Sequence, residues 1–333
     1  MTVRVGINGM GRIGRCTLSA IIESGRTDIQ VVKLNATGPI ETNAHLLKWD
    51  SVHGRFSGEI KIDGDTMDVG QGPMKVFSTY DPAELDWEGC DIVLECSGVF
   101  NSREAAGVHL EHGAGKVLVS APAKNADLTM VYGVNHDKLT ADHKVVSNGS
   151  CTTNCLAPMA KVLNDAIGIE SGIMTTVHSY TGDQPTLDAL HSDPYRGRAA
   201  AMSMVPTSTG AARALTLVLP EMTGRIDGVA VRVPTPNVSL VDLSFDAPRP
   251  TSVEEINDAI RAAAAGPLEG ILGVTEDKLV SIDLNHEPRS SVFSTDQTRV
   301  TDGTLCRILT WYDNEWAFSC RMLDTAAEMA RFL

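Results

Sequence analysis

The 333-residue sequence has no apolar run approaching the roughly 18 consecutive residues of a membrane-spanning helix, so no membrane partner is expected. Its first residues, MTVRVGING, pass straight into an alternating apolar strand without the apolar region and cleavage site of an export signal. A cytoplasmic protein is the expectation. Basic residues are in deficit: the formal net charge is -14, which argues against nucleic acid as the main partner and means that any anionic small ligand needs locally placed arginines. The seven cysteines are scattered, with neither the density of a secreted disulfide scaffold nor the paired spacing of a metal centre, so reduced thiols and no metal are expected. Low-complexity segments and long blocks of one charge are also missing. What remains is a chain with 43% apolar residues, longer than a usual single domain, for which two domains are the natural expectation.

The opening stretch TVRVGINGMGRIGRCTLSAIIESG alternates at Val3, Val5 and Ile7, then recurs at helical spacing through Ile13, Leu18, Ile21 and Ile22. Between strand and helix lie Gly9, Gly11 and Gly14 in the spacing G-x-G-x-x-G. The first two let the backbone turn and approach a pyrophosphate, the third lets helix and strand pack closely, and the helix start offers amide donors to an anion. A second strand, DIQVVKLN, supplies the context the motif requires. Further strands are expected at MKVFS, DIVLECSG, KVLVSAP and KVVSNGS, which together predict an open, largely parallel α/β sheet. Ser97, Gly98 and Ser120 fall just beyond strand ends, where such sheets hold ligands. The second strand ends at Asn35 and Ala36, and no carboxylate follows before Glu41, so the acidic residue that takes the ribose hydroxyls of NAD and repels the extra phosphate of NADP is missing.

SCTTNCLAP, Ser150 to Pro158, raises the question of chemistry. Cys151 stands at an expected helix start, where unpaired amides and the positive end of the dipole favour a thiolate, whereas Cys155 lies a turn inside on the packing side. The following strand carries His178, an imidazole suited to act as base. Beyond it Arg196, Arg198, Thr209, Gly210 and Arg232 have the chemistry of phosphate recognition: guanidinium forks beside small hydroxyl turns.

With these residues in view the chain closely resembles the phosphorylating glyceraldehyde-3-phosphate dehydrogenases. The motifs run from GINGMGRIGR through HLLKWDSVHGRF, SCTTNCLAP, HSYTGDQ, PTSTGAA and RVPTPNVS to WYDNEW, and cover essentially the whole chain. The resemblance implies a Rossmann-type doubly wound domain over residues 1–150, completed by a C-terminal helix at about 315–333, and an α+β catalytic domain with a mixed sheet over 151–314. It implies Cys151 as nucleophile and His178 as base, one phosphate subsite from Thr181 and Arg232, and another from Ser150, Thr209, Gly210 and Arg196, with Thr152 among the substrate- or phosphate-binding residues. Cofactor contacts would include Arg12, Ile13, Ser120 and Asn314, the last through its side-chain amide to the nicotinamide carboxamide. The implied reaction is reversible oxidation and phosphorylation of glyceraldehyde 3-phosphate by inorganic phosphate, through a Cys151 thiohemiacetal and thioester with hydride transfer to NAD or NADP. The stretch from TGDQP to PTSTG resembles the loop that packs beside a neighbouring subunit's cofactor, which implies a homotetramer.

Several positions depart from the pattern. Ala36 replaces an aspartate common among NAD users, and Ala189-Leu190 replaces a leucine-proline pair near the adenosine ribose, its alanine resembling the NADP-using branch; both changes remove obstacles to the phosphate of NADP, so dual or NADP-leaning use is expected. Tyr80 and Tyr195 stand where arginines are common, and Ala317-Phe318-Ser319 replaces glycine-tyrosine-serine. The rival readings are an erythrose-4-phosphate dehydrogenase, a Cys-His thiol hydrolase and a non-catalytic nucleotide-binding protein.

Overall fold

In the computed structural model, which describes Thr2–Leu333, the chain divides into two units: one runs to Gly149 and resumes over Ser319–Leu333, and the other is Ser150–Phe318. In the first unit β1 (Val3–Asn8) leads through α1 (Arg12–Glu23) to β2 (Ile29–Asn35). The helix α2 (Ile40–Lys48) follows, then β3 (Lys61–Asp63), β4 (Thr66–Asp68) and β5 (Pro73–Phe77). The strands β6 (Ile92–Glu95), β7 (Lys116–Val119), β8 (Leu128–Thr129) and β9 (Val145–Ser147) complete a nine-stranded sheet in the order β8-β9-β7-β6-β1-β2-β5-β4-β3. All pairings from β8 across to β5 are parallel; only the β3-β4-β5 edge is antiparallel. Consecutive residues such as Ile92, Val93 and Leu94 are all fully buried, as expected where both faces of a parallel sheet are covered.

The glycine turn follows from close approach. Gly9 has φ +100°, and a Cβ there would lie 2.7 Å from the Ser97 backbone nitrogen. A Cβ on Gly14 would overlap the carbonyl oxygen of Gly9, so the first turn of α1 sits directly against the end of β1.

The second unit begins with α3 (Cys151–Ala166), followed by β10 (Ser171–Ser179), β11 (Val205–Ser208), α4 (Ala211–Val218) and β12 (Ile226–Val233). Next come β13 (Ser239–Asp246), α5 (Val253–Ala264), β14 (Leu272–Thr275), β15 (Ser291–Ser294), β16 (Arg299–Thr301) and β17 (Leu305–Tyr312). The mixed sheet has the order β11-β12-β10-β13-β17-β15-β14, with β16 added to β17. Along β13 the buried residues Ser239, Val241, Leu243 and Phe245 alternate with partly exposed Leu240, Asp242 and Ser244, the period-2 signature of a sheet covered on one face. The cover is α3, which packs on β13, β15 and β17 as well as on α4 and α5. On the other face Ile173 and Val229 remain 65% and 52% exposed.

The last helix, α6 (Trp316–Ala330), leads back into the first unit, where Thr325 Oγ1 donates to Asn148 Oδ1 at 2.8 Å and Asp324 pairs with Arg26 at 2.6 Å. No helix among the described residues is long and apolar enough to cross a membrane. Gly14→Ala is expected to lower the stability of the protein by about 1–3 kcal/mol, because two backbones must separate to admit one methyl group. Urea unfolding measures this, and an unchanged midpoint would contradict the close approach of strand and helix.

Candidate active site

A cavity of about 450 Å³ opens at the C-terminal ends of β1, β2 and β6, lined by Gly9, Gly11, Asn35, Thr37, Ser97 and Tyr80 among others. Gly11 is the N-cap of α1 and offers no capping side chain, the first turn holds no acidic residue, and a Cβ on Gly11 would meet nothing within 4 Å. Amide donors beside open space of this kind fit a dinucleotide pyrophosphate. Arg12, at the first position of α1, forms a two-pronged ion pair with Asp50, whose carboxylate also accepts from the amides of Val52 and His53. Burial alone would raise the Asp50 pKa, but Arg12 and these amides outweigh it and bring it down to about 2. Ile13 follows half-buried, Gly98 takes φ +76° beyond β6, and Ser120 closes β7 with its amide on the Glu95 carbonyl.

The end of β2 differs from the sequence-based expectation. Ala36 is fully buried, its amide bonded to the Phe77 carbonyl, and it does not line the cavity; Asn35 and Thr37 do. No carboxylate lines the cavity among the described residues, and Arg15 is the cation there. Beneath it runs a buried relay that the sequence did not disclose. Trp87 Nε1 donates to His109 Nδ1 at 3.0 Å, which leaves Nε2–H to donate to Glu95 Oε2 at 2.8 Å. Glu95 also accepts from Asn8 Nδ2 at 2.5 Å and from the Ser97 amide at 2.7 Å, and Asn8 Oδ1 accepts from Asn35 Nδ2 at 2.8 Å. A buried carboxylate with this many donors fixes the strand ends that floor the cavity.

In the second unit Ser150 caps α3, its Oγ accepting from the Thr153 amide at 3.0 Å, so Cys151 is the first helical residue. Cys151 Sγ lies 3.5 Å from His178 Nε2. The Ser179 carbonyl, 2.7 Å from His178 Nδ1, can only accept, so Nδ1 carries the proton and the Nε2 lone pair faces the thiol. Burial, followed by the positive charge of Arg232, lowers the His178 pKa to about 3. Desolvation also pushes the Cys151 thiol up, with Arg232 pulling against it. Against the thiolate expected from the helix start, burial favours the neutral thiol and the neutral imidazole, with the arginine opposing it at the thiol. Cys155 is fully buried against Ser291, its thiol pushed up to about 12.

Thr181 and Arg232 are in contact, Arg232 Nη1 donating to Thr181 Oγ1 at 2.9 Å and to the Ser179 carbonyl at 3.0 Å, while the buried Arg232 Nε has no partner. Arg196 donates to Thr207 Oγ1 and to the Ser208 carbonyl. Asp183 joins the two groups, accepting from Thr181 and from Arg196 Nη1 at 3.1 Å. Its burial favours the neutral form, but the Thr181 hydrogen bond and the two arginines keep its pKa below the usual carboxylate value. Thr209 and Gly210 lead into α4, which has no side-chain cap at Gly210 and no acidic residue in its first turn. Thr152 does not join this set: its side chain is buried and its hydroxyl pairs with Tyr312 at 2.8 Å, because one step along a helix from Cys151 turns it by about 100° toward β17. Arg198 is also apart, paired with Asp188 at the surface. Asn314 is 5% exposed, and its Oδ1 accepts from Ser179 and Ser239.

A dinucleotide cradle in one unit and, in the other, a thiol facing an unprotonated imidazole nitrogen beside two arginines define a class: a nicotinamide-dinucleotide-dependent dehydrogenase. Residues 3–103 match the profile described as glyceraldehyde 3-phosphate dehydrogenase, NAD binding domain, and residues 150–314 match that of the C-terminal domain. The chain is 66% identical to glyceraldehyde-3-phosphate dehydrogenase of Xanthobacter flavus over 333 residues, covering 99% of each chain. It is 64% identical to that of Cereibacter sphaeroides, covering 100% of each, and 51% identical to that of Geobacillus stearothermophilus, covering 99% of each. The chain belongs to the glyceraldehyde-3-phosphate dehydrogenase family.

Two outcomes follow from the thiol and imidazole. Iodoacetamide is expected to alkylate Cys151 before buried Cys155 and Cys96, faster as pH rises because the thiol must ionise, and more slowly in Arg232→Leu. Peptide mapping that finds Cys155 or Cys96 labelled first refutes the assignment. For His178 the folded pKa of about 3 lies below the ordinary imidazole value of 6.5, so the unfolded chain takes up the proton first and stability falls as pH drops from 6.5 toward 3. His178→Asn is expected to make that acid decline shallower by up to about 1.4 kcal/mol per pH unit, measured by urea unfolding across the window.

Proposed function

We propose that the protein catalyses reversible oxidation and phosphorylation of glyceraldehyde 3-phosphate to 1,3-bisphosphoglycerate. The observation that carries this reading is the facing of Cys151 Sγ and the unprotonated His178 Nε2 at 3.5 Å, with Arg232 beside both. Cys151 attacks the aldehyde carbon and passes its thiol proton by way of His178 Nε2 to the new oxyanion, giving a thiohemiacetal. As the thiohemiacetal is oxidised, His178 Nε2 takes the hydroxyl proton and a thioester remains. Inorganic phosphate then displaces the thiolate, giving the acyl phosphate and returning Cys151. The backbone amide of Cys151 at the helix start supports the oxyanion. NAD or NADP, when bound, would supply the two-electron acceptor; the Gly9–Gly14 turn would hold its pyrophosphate and Asn314 would meet its carboxamide.

Thr181 with Arg232, and Arg196 with Thr209, Gly210 and Ser150, would hold the two phosphate groups. An anion there offsets the positive charge that disfavours the imidazolium, so substrate makes His178 a better base. The cavity without a lining carboxylate, with Arg15 as its cation, supports use of both NAD and NADP. Exposed Leu187, Leu190, Tyr195, Met202 and Met204 on the segment between Thr181 and Val205, with Ile173 and Val229 on the open sheet face, support a homotetramer. Seven cysteines without a disulfide among the described residues support a reducing, cytoplasmic setting.

Initial rates with glyceraldehyde 3-phosphate and phosphate test the reading, with NAD and NADP at matched concentrations. Comparable kcat/KM for the two cofactors is expected, and Cys151→Ser is expected to lower kcat by on the order of 10⁴. Strong NAD preference refutes dual use, faster turnover of erythrose 4-phosphate reassigns the substrate, and an active Cys151→Ser variant removes the covalent mechanism.

A further inference from the structure

Ser239, at the first position of β13, is 1% exposed and takes no part in the chemistry of Cys151 and His178. Its Oγ accepts from the Ser179 amide at 3.1 Å and lies 3.1 Å from Ser179 Oγ. Both hydroxyls converge on Asn314 Oδ1, Ser179 at 2.7 Å and Ser239 at 2.9 Å. The proton count decides which way the amide faces. With Oδ1 toward the serines, each hydroxyl proton has an acceptor and the Ser179 amide keeps Ser239 Oγ. With Nδ2 toward them, Ser239 would pass its proton to Ser179 and the Ser179 proton would have none. A buried hydroxyl without an acceptor costs more than the new bonds return.

We propose that Ser179 and Ser239 are positioning residues that lock the Asn314 amide with Nδ2 outward, so that it presents donors and recognises a carbonyl oxygen on the nicotinamide ring. Asn314 Nδ2 makes no hydrogen bond among the described residues, which leaves both its protons for the ligand. The main chain on each side is held separately. Asp313 Oδ1 accepts from the amides of Glu315 and Trp316, and its Oδ2 accepts from Asn237 and the His286 amide. Rotation of the amide about its own bond is therefore the freedom left, and the two hydroxyls remove it. Ser179 also carries the carbonyl that takes His178 Nδ1–H and Arg232 Nη1–H, so one residue sets both the tautomer of the base and the face of the amide.

The inference rests on the dehydrogenase reading, and binding measurements separate the two. Calorimetric dissociation constants would be taken for NAD and for ADP-ribose, which lacks the nicotinamide, on the full-length protein. Ser239→Ala is expected to weaken NAD by about fivefold or more while ADP-ribose stays within about twofold, and to add nothing in an Asn314→Ala background. Equal weakening of both ligands, unchanged NAD affinity, or a further loss on Asn314→Ala overturns it. The wild-type protein supplies a second test that needs no substitution. The 3-acetylpyridine analogue keeps the carbonyl and should bind within about threefold of NAD, whereas the thionicotinamide analogue, a poorer acceptor, should bind at least about fivefold more weakly; the reverse order overturns the proposal. Wild-type protein that binds neither NAD nor NADP refutes the dehydrogenase reading itself and the inference with it.

Discussion

The carbonyl oxygen of Ser179 accepts from His178 Nδ1 and from Arg232 Nη1, and the chemistry of the second unit depends on that one backbone atom. It fixes the imidazole tautomer, and it brings a guanidinium close enough to act on both the thiol and the imidazole. The parallel register explains why these groups coincide: His178 on β10 pairs directly with Arg232 on β12, and Ser179 with Val233. Because the acceptor is main chain, no single side-chain change deletes it; only a shift in register would.

Arg232 works in opposite directions on its two neighbours. Its charge favours a thiolate at Cys151 and disfavours an imidazolium at His178, while burial disfavours both ions. Burial therefore works against a thiolate–imidazolium pair, and Arg232 favours only its thiolate half. Such a site gains reactivity from arriving charge. Asp183 tempers the arginines, holding Arg196 by its carboxylate and Arg232 indirectly through Thr181, so that the positive field is present but already partly answered.

The elements that could be read from the sequence were those whose signal is local. The alternation of Val3, Val5 and Ile7, the glycine turn and the Ser150 start of α3 each depend on residues within a turn of one another. The groups that escaped depend on distant partners. Glu95 meets Asn8 across 87 positions, and Thr152 meets Tyr312 across 160. Asp183 lay inside the quoted HSYTGDQ motif, and Asp50 inside HLLKWDSVHGRF, yet neither spacing says which arginine it will hold. Thr152 could have been set aside from helix geometry alone, since neighbours on a helix point about 100° apart. Ala36 misled because identity was read without direction: its Cβ is buried and the cavity wall belongs to Asn35 and Thr37.

Asn35 is nevertheless a poor substitute for the missing carboxylate. Its Nδ2 is committed to Asn8 Oδ1 and the Thr79 carbonyl, and its Oδ1 to the Thr79 amide. The relay through Glu95 holds that arrangement from below, so Asn35 cannot turn toward a ribose without leaving buried donors unmet. Discrimination at this end of the cavity then passes to Thr37, Arg15 and exposed Tyr80, none of which repels a phosphate. Loss of repulsion is not attraction, and Arg15 already spends Nη1 on the Met10 carbonyl. Among the described residues the lining thus holds no carboxylate to repel an additional phosphate and no uncommitted guanidinium nitrogen at Arg15 Nη1 to demand one.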